Sequence, residues 1–107
     1  MLVYPITVSV CACATLMFAF GGAAQAQAAI KIGASVSTTG SFAALGQNQF
    51  RGYQLCVKRA NEKGGVLGRR IELITEDDKS DPKKAVEIYE RLITEKKIDA
   101  ILGPYGS

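Results

Sequence analysis

Apolar and polar positions alternate from Ile30 onward. Ile30, Ile32, Ala34 and Val36 fall on one side, and Lys31, Gly33 and Ser35 on the other. A period of two predicts a strand. Hydroxyls and a glycine follow in "STTGSF", which is loop chemistry. The period then lengthens. Phe50, Tyr53, Cys56 or Val57, and Ala60 recur at three- and four-residue steps, the spacing of a helix face. Gly46 and Gly52 weaken that helix by about 1 kcal/mol each relative to alanine, and Gly52 is expected to allow close packing. "NEKGGVLGRR" ends it, with Gly64 and Gly65 suited to left-handed stop positions. "RIELITEDD", residues 70–78, predicts a second strand. Asp81 as N-cap and Pro82 at the first helical position open a second helix. Its apolar face is read as Ala85, Val86, Tyr89, Leu92 and Ile93. Ile98 to Leu102 makes a third short strand.

The order is β-α-β-α-β. Alternation of this kind implies a parallel sheet with right-handed crossovers, here a portion of a doubly wound, flavodoxin-like α/β lobe. In such sheets ligands bind beyond the carboxyl ends of the strands, where strand order reverses. With the order 2-1-3-4-5, the loops at that point are "STTGSFAALG" after the first strand and "GPYGS" after the third. Both offer hydroxyls, glycines and an aromatic ring but no acid–base pair. They suit hydrogen bonding to a small polar solute better than catalysis. "GASVSTTG" is neither a dinucleotide fingerprint nor a phosphate loop. "EDD", Glu76 to Asp78, is read as a solvated strand end.

The first part of the chain changes this picture. Val8 to Phe20 is apolar or small and uncharged, and Ala24-Gln25-Ala26 and Ala26-Gln27-Ala28 follow it. That pattern predicts a secretory signal over residues 1–28, cleaved near Ala26 or Ala28, and a periplasmic domain over 29–107. No Lys or Arg precedes Ile30, so the positive segment of such a signal rests on the amino terminus alone. The net charge of +3 belongs entirely to the exported part, with both signs interspersed. Such interspersion excludes a basic stripe for nucleic acid. Of the three cysteines only Cys56 survives processing, and its helical position predicts a small buried residue. The chain has no histidine, and no cluster has metal-ligand spacing, so neither metal nor cofactor is expected.

Four motifs occur in order: "TG-x-x-A-x-x-G", "N-x-K-GG-V-x-G-R", "DD-x-S-DP" and "GPY-x-S". Together they make Ile30 to Ser107 resemble the extracytoplasmic solute-binding proteins of branched-chain amino acid ABC transporters. The resemblance implies a two-lobed periplasmic binding protein of type I, with a ligand in the cleft and a membrane permease as partner. No covalent chemistry is implied. Ser107 matches a first-lobe serine that hydrogen-bonds the ligand carboxylate, and Gly106 and Tyr105 match its neighbours. Leu45 falls where some members place an aromatic ring over the ligand, and Phe42 lies nearby. Some members have serine at the position of Gly106, so one hydroxyl is missing. Ser80 stands near the place of a cysteine in members with a first-lobe disulfide, so no such bond is expected.

Members of the family are several times longer. The resemblance therefore implies an amino-terminal fragment holding part of one wall of the site. Its sheet would leave an unpaired edge where a fourth strand belongs, which invites aggregation. A sensory receptor of the same fold, a flavodoxin-like enzyme, and a truncated product without independent activity are the alternatives.

Overall fold

The computed structural model describes residues 27–105. The expected export signal lies outside the described residues except for its last two positions. Gly106 and Ser107 lie outside them as well. The elements follow in the expected order: β1 (Ile30–Val36), α1 (Ala43–Glu62), β2 (Ile71–Asp77), α2 (Pro82–Thr94) and β3 (Ala100–Leu102). The sheet is parallel, with strand order β2-β1-β3. β1 and β2 pair along their whole length, from Ile30 opposite Ile71 to Val36 opposite Asp77. β3 pairs more briefly, from Ile32 opposite Ala100 to Ala34 opposite Leu102. β2 and β3 lie on opposite sides of β1, so two right-handed crossovers place α1 and α2 on opposite faces.

The middle strand is where the two-sided reading of β1 fails. Gly33 and Ser35 are buried along with Ala34 and Val36. A strand covered by a helix on each face has no solvent side. β3 begins at Ala100 rather than Ile98 because the Asp99 carboxylate, not a backbone carbonyl, takes the Lys31 N–H at 2.8 Å. Its other edge carries no strand among the described residues, and Ile101 is 54% exposed there.

α1 packs through Phe50, Tyr53, Val57 and Ala60, each half-buried. Cys56 is exposed, contrary to expectation. It sits one residue, about 100° of helical turn, off the packed stripe. The close packing expected at Gly52 occurs at Gly46 instead. A Cβ at Gly46 would stand 1.8 Å from the Ser37 carbonyl oxygen, whereas nothing lies within 4 Å at Gly52. Glycine thus lets the first turns of α1 rest directly on the end of β1. Gly64 and Gly65 take the positive φ expected of stop positions, and the Gly65 N–H caps the Ala60 carbonyl at 2.8 Å.

In α2, Asp81 caps the Lys83 N–H at 2.9 Å, with Pro82 at the first helical position. The buried face is Ala85, Ile88, Tyr89 and Leu92, at steps i, i+3, i+4 and i+7. Val86 and Ile93, read from sequence as part of that face, are 59% and 54% exposed, while Ile88 was not counted and is 3% exposed. The true stripe is narrower than the apolar content suggests, because both exceptions sit one residue around the helix. Full burial of Leu92 and Ile88 stabilises the lobe by about 1.5–3 kcal/mol each.

At the outer edge of β2, which carries no strand among the described residues, the side chain of Asn61 takes up the backbone groups. Its amide donates to the Ile71 carbonyl at 2.9 Å, and its oxygen accepts from the Ile71 N–H at 2.7 Å.

Candidate functional site

Three loops meet at the carboxyl ends of the strands. The first follows β1 (Ser37–Phe42), the second joins β2 to α2 (Asp78–Asp81), and the third leaves β3 at Gly103. The first and third flank the point where the chain turns from β1 to β2 on one side and to β3 on the other, the switch point of the sheet. They touch through Phe42 and Tyr105, whose rings meet edge to face with centroids 6.0 Å apart. A cavity of about 200 Å³ lies beneath, lined by these rings together with Pro104, Tyr89, Val86 and Ser37. A wider hollow of about 700 Å³ runs along the outer edge between α1 and β2. It stands away from the switch point, and the fold rule favours the smaller cavity as the functional one.

The first loop is held by the acids of β2. Asp78 is 2% exposed and accepts from the hydroxyls of Ser35 at 2.7 Å and Ser37 at 2.6 Å, and from the Ser80 N–H at 2.9 Å. Asp77 accepts from the Thr38, Thr39 and Lys79 N–H groups and from the Thr39 hydroxyl, the last at 2.6 Å. Burial pushes the Asp77 carboxyl up, but the Thr39 hydroxyl and the three N–H groups together outweigh it and hold the pKa down to about 2. Glu76 pairs with Arg91 of α2, and that bond keeps the guanidinium pKa above its ordinary value. The acidic triplet is therefore not a solvated strand end. Glu76 binds a guanidinium, and Asp77 and Asp78 bind hydroxyls and amides of the neighbouring strand and loop, because the parallel register sets the end of β1 beside the end of β2.

The β2–α2 turn pays for this with strain. Lys79 and Ser80 hold φ of 55° and 64°. Left-handed backbone costs an L-residue roughly 1–2 kcal/mol. Gly40, at φ 86°, faces this turn so closely that a Cβ would stand 2.5 Å from the Lys79 carbonyl oxygen.

The third loop is hung from two tyrosines, one on each helix. Tyr89 of α2 donates to the Leu102 carbonyl at 2.6 Å and accepts from the Ser35 N–H at 3.3 Å. Its hydroxyl bridges β1 and β3 where their pairing stops. Burial raises its pKa above the usual phenol value. Tyr53 of α1 donates to the Gly103 carbonyl at 3.1 Å.

Of the site residues expected from sequence, Phe42 and Tyr105 come together. Leu45 stands apart in the first turns of α1, 51% exposed and not lining the cavity. Gly106 and Ser107 lie outside the described residues. Sequence reasoning missed Asp77, Asp78 and Ser80, and took Tyr53 and Tyr89 for packing residues alone. The signal was present in "SVSTT" and "EDD": once two parallel strands are recognised, their carboxyl ends must be neighbours. Among the described residues no cluster of His, Cys, Asp or Glu could hold a metal ion, and no helix is long and apolar enough to cross a membrane.

Comparison with known proteins gives consistent findings. The family model described as periplasmic binding protein matches residues 29–107. The Leu/Ile/Val-binding protein homolog 2 of Brucella abortus is 35% identical over 95 residues, covering 89% of this chain and 25% of that protein. Among solved structures, the branched-chain amino acid transporter substrate binding protein LivJ of Streptococcus pneumoniae, in complex with isoleucine, matches with a TM-score of 0.69. It is 38% identical, with 71% of this chain and 22% of that chain covered. The fatty acid ABC transporter substrate-binding protein of Thermomonospora curvata matches with a TM-score of 0.63 at 40% identity, covering 68% of this chain and 18% of that chain. The chain spans about a quarter of the length of the curated relatives it matches.

Proposed function

The chain belongs to the periplasmic binding protein family, and on that premise we propose that it forms part of the extracytoplasmic substrate-binding component of an ABC importer. The family binds solutes and does not transform them. The proposed solute is a branched-chain or related amino acid, delivered in the periplasm to a membrane permease. The observation that carries this reading is the meeting of the first and third loops through Phe42 and Tyr105 at the switch point of the sheet.

Each site residue has a chemical role under this proposal. Ser107 offers a hydroxyl to the ligand carboxylate, and Gly106 its backbone N–H. Tyr105 and Phe42 supply apolar surface for an aliphatic side chain, and Leu45 adds to it from outside their cavity. Leu45 has no ring to stack on the ligand. In a two-lobe receptor, an acid on the second lobe would pair with the ligand ammonium, and closure would exclude water from both charges.

The match to a fatty acid binder supports a second reading of the ligand. Branched-chain amino acids and fatty acids share a carboxylate and an aliphatic body, and differ in the ammonium. Calorimetric titration of the full-length polypeptide with isoleucine, octanoate, urea and benzoate separates the readings. Heat with isoleucine alone supports the amino acid. Heat with octanoate alone supports the fatty acid. Heat with neither overturns both.

A further inference from the structure

Lys79 and Ser80 are consecutive, neither is glycine, and both hold left-handed backbone. Such conformations persist only where the surroundings over-determine them. Here the surroundings are the two aspartates, which accept the Lys79 and Ser80 N–H groups at 2.9 Å each. A turn that needs left-handed backbone is ordinarily met by glycine or asparagine. Serine at position 80 brings something those residues would not. Its hydroxyl points across to the first loop, where it donates to the Thr39 carbonyl at 2.7 Å and accepts from the Phe42 N–H at 3.0 Å. Phe42 is the N-cap residue of α1 and the one whose ring meets Tyr105. The hydroxyl therefore fixes the backbone that aims the Phe42 ring and starts the helix carrying Leu45.

We infer that Ser80 is a positioning residue of the binding site: the strained turn is kept because only there does its hydroxyl hold Thr39 and Phe42 in place. This rests on the proposed solute-binding function and adds to it a residue that lines the same cavity and acts on it through Thr39 and Phe42. The strain and the hydroxyl separate by mutation. Ser80→Gly relieves the backbone and removes the hydroxyl. Lys79→Gly relieves the neighbouring backbone and leaves the hydroxyl.

Both variants of the full-length polypeptide are titrated with isoleucine and octanoate, and their thermal unfolding is recorded. Ser80→Gly is expected to raise the Kd of whichever ligand binds by about tenfold, equivalent to about 1.4 kcal/mol, without lowering the unfolding midpoint. Lys79→Gly is expected to leave the Kd unchanged. A residue serving only the turn would give an unchanged Kd in both, and that result overturns the inference. If the unmutated protein binds neither ligand, the functional reading fails by itself. Amide exchange at Phe42 then decides the role of Ser80. Exchange about tenfold faster in Ser80→Gly and unchanged in Lys79→Gly upholds it, and unchanged exchange in both overturns it.

Discussion

The first and third loops stand side by side at the same end of the sheet, yet they are held by opposite means. The first is bound by the carboxyl groups of Asp77 and Asp78, which together accept seven hydrogen bonds. The third hangs from two phenol hydroxyls, those of Tyr53 and Tyr89. Carboxylate bonds are shorter and about twice as strong as neutral ones, and they depend on charge. Phenol bonds depend on where the helices put the rings. The first loop is thus fixed by the sheet itself, and the third follows α1 and α2. A lobe built this way ties one loop to the sheet and the other to the packing of its helices.

Removing the buried acid should break the contrast most severely. Asp78→Ala leaves two buried hydroxyls and an N–H without an acceptor, and should cost about 3 kcal/mol or more in urea unfolding. A loss below about 1 kcal/mol would mean that the first loop does not depend on its carboxylates.

Acid should separate the loops next. Asp77 has a folded pKa of about 2 against an ordinary value of 3.8. The folded state therefore binds this proton less readily than the unfolded chain. The resulting stability is fully present above pH 3.8 and is lost as pH falls toward 2. With allowance for solvent screening at this half-buried group, the loss is about 1–2 kcal/mol. Comparing urea unfolding at pH 5 and pH 2.5 should show a smaller acid loss in Asp77→Asn than in the unmutated protein. Equal losses would remove Asp77 from the account.

The tyrosines should show the smallest effects and no dependence on acid. Tyr89→Phe removes the bridge between β1 and β3 and should cost about 1–1.5 kcal/mol. Tyr53→Phe, whose bond to Gly103 is exposed, should cost about 0.5 kcal/mol. If Tyr53→Phe proves the more damaging, the third loop hangs chiefly from α1 rather than α2.

Much of the fold was legible in the one-dimensional pattern. The element order followed from periodicity, the start of α2 from Asp81 and Pro82, and the end of α1 from Gly64 and Gly65. Errors concentrated where an apolar residue lay one position off a face: Cys56, Val86 and Ile93. A period names a face to within about one residue, but the width of the buried stripe depends on what packs against it. Of the candidate site, Phe42 and Tyr105 are named from the loops that hold them, and the structure brings their rings together. The two aspartates are read from sequence as a solvated strand end, and Ser80 only as standing near the place of a cysteine in some family members.

What the sequence determined by itself is local: which segments become strand or helix, where each starts and stops, and that they alternate. Those choices depend on spacing and backbone preference within a few residues. Only the tertiary structure decided what each polar group is for. Asp78 is an acid at a strand end until β1 lies beside β2 in register. Then it is a buried acceptor 2.6 Å from the Ser37 hydroxyl, 41 residues away in the chain. The same holds for Gly46 against Ser37 and for Tyr89 between two strands. Hydrogen bonding and steric contact act over a few ångströms in space, and nothing in linear spacing encodes that distance until the sheet closes it.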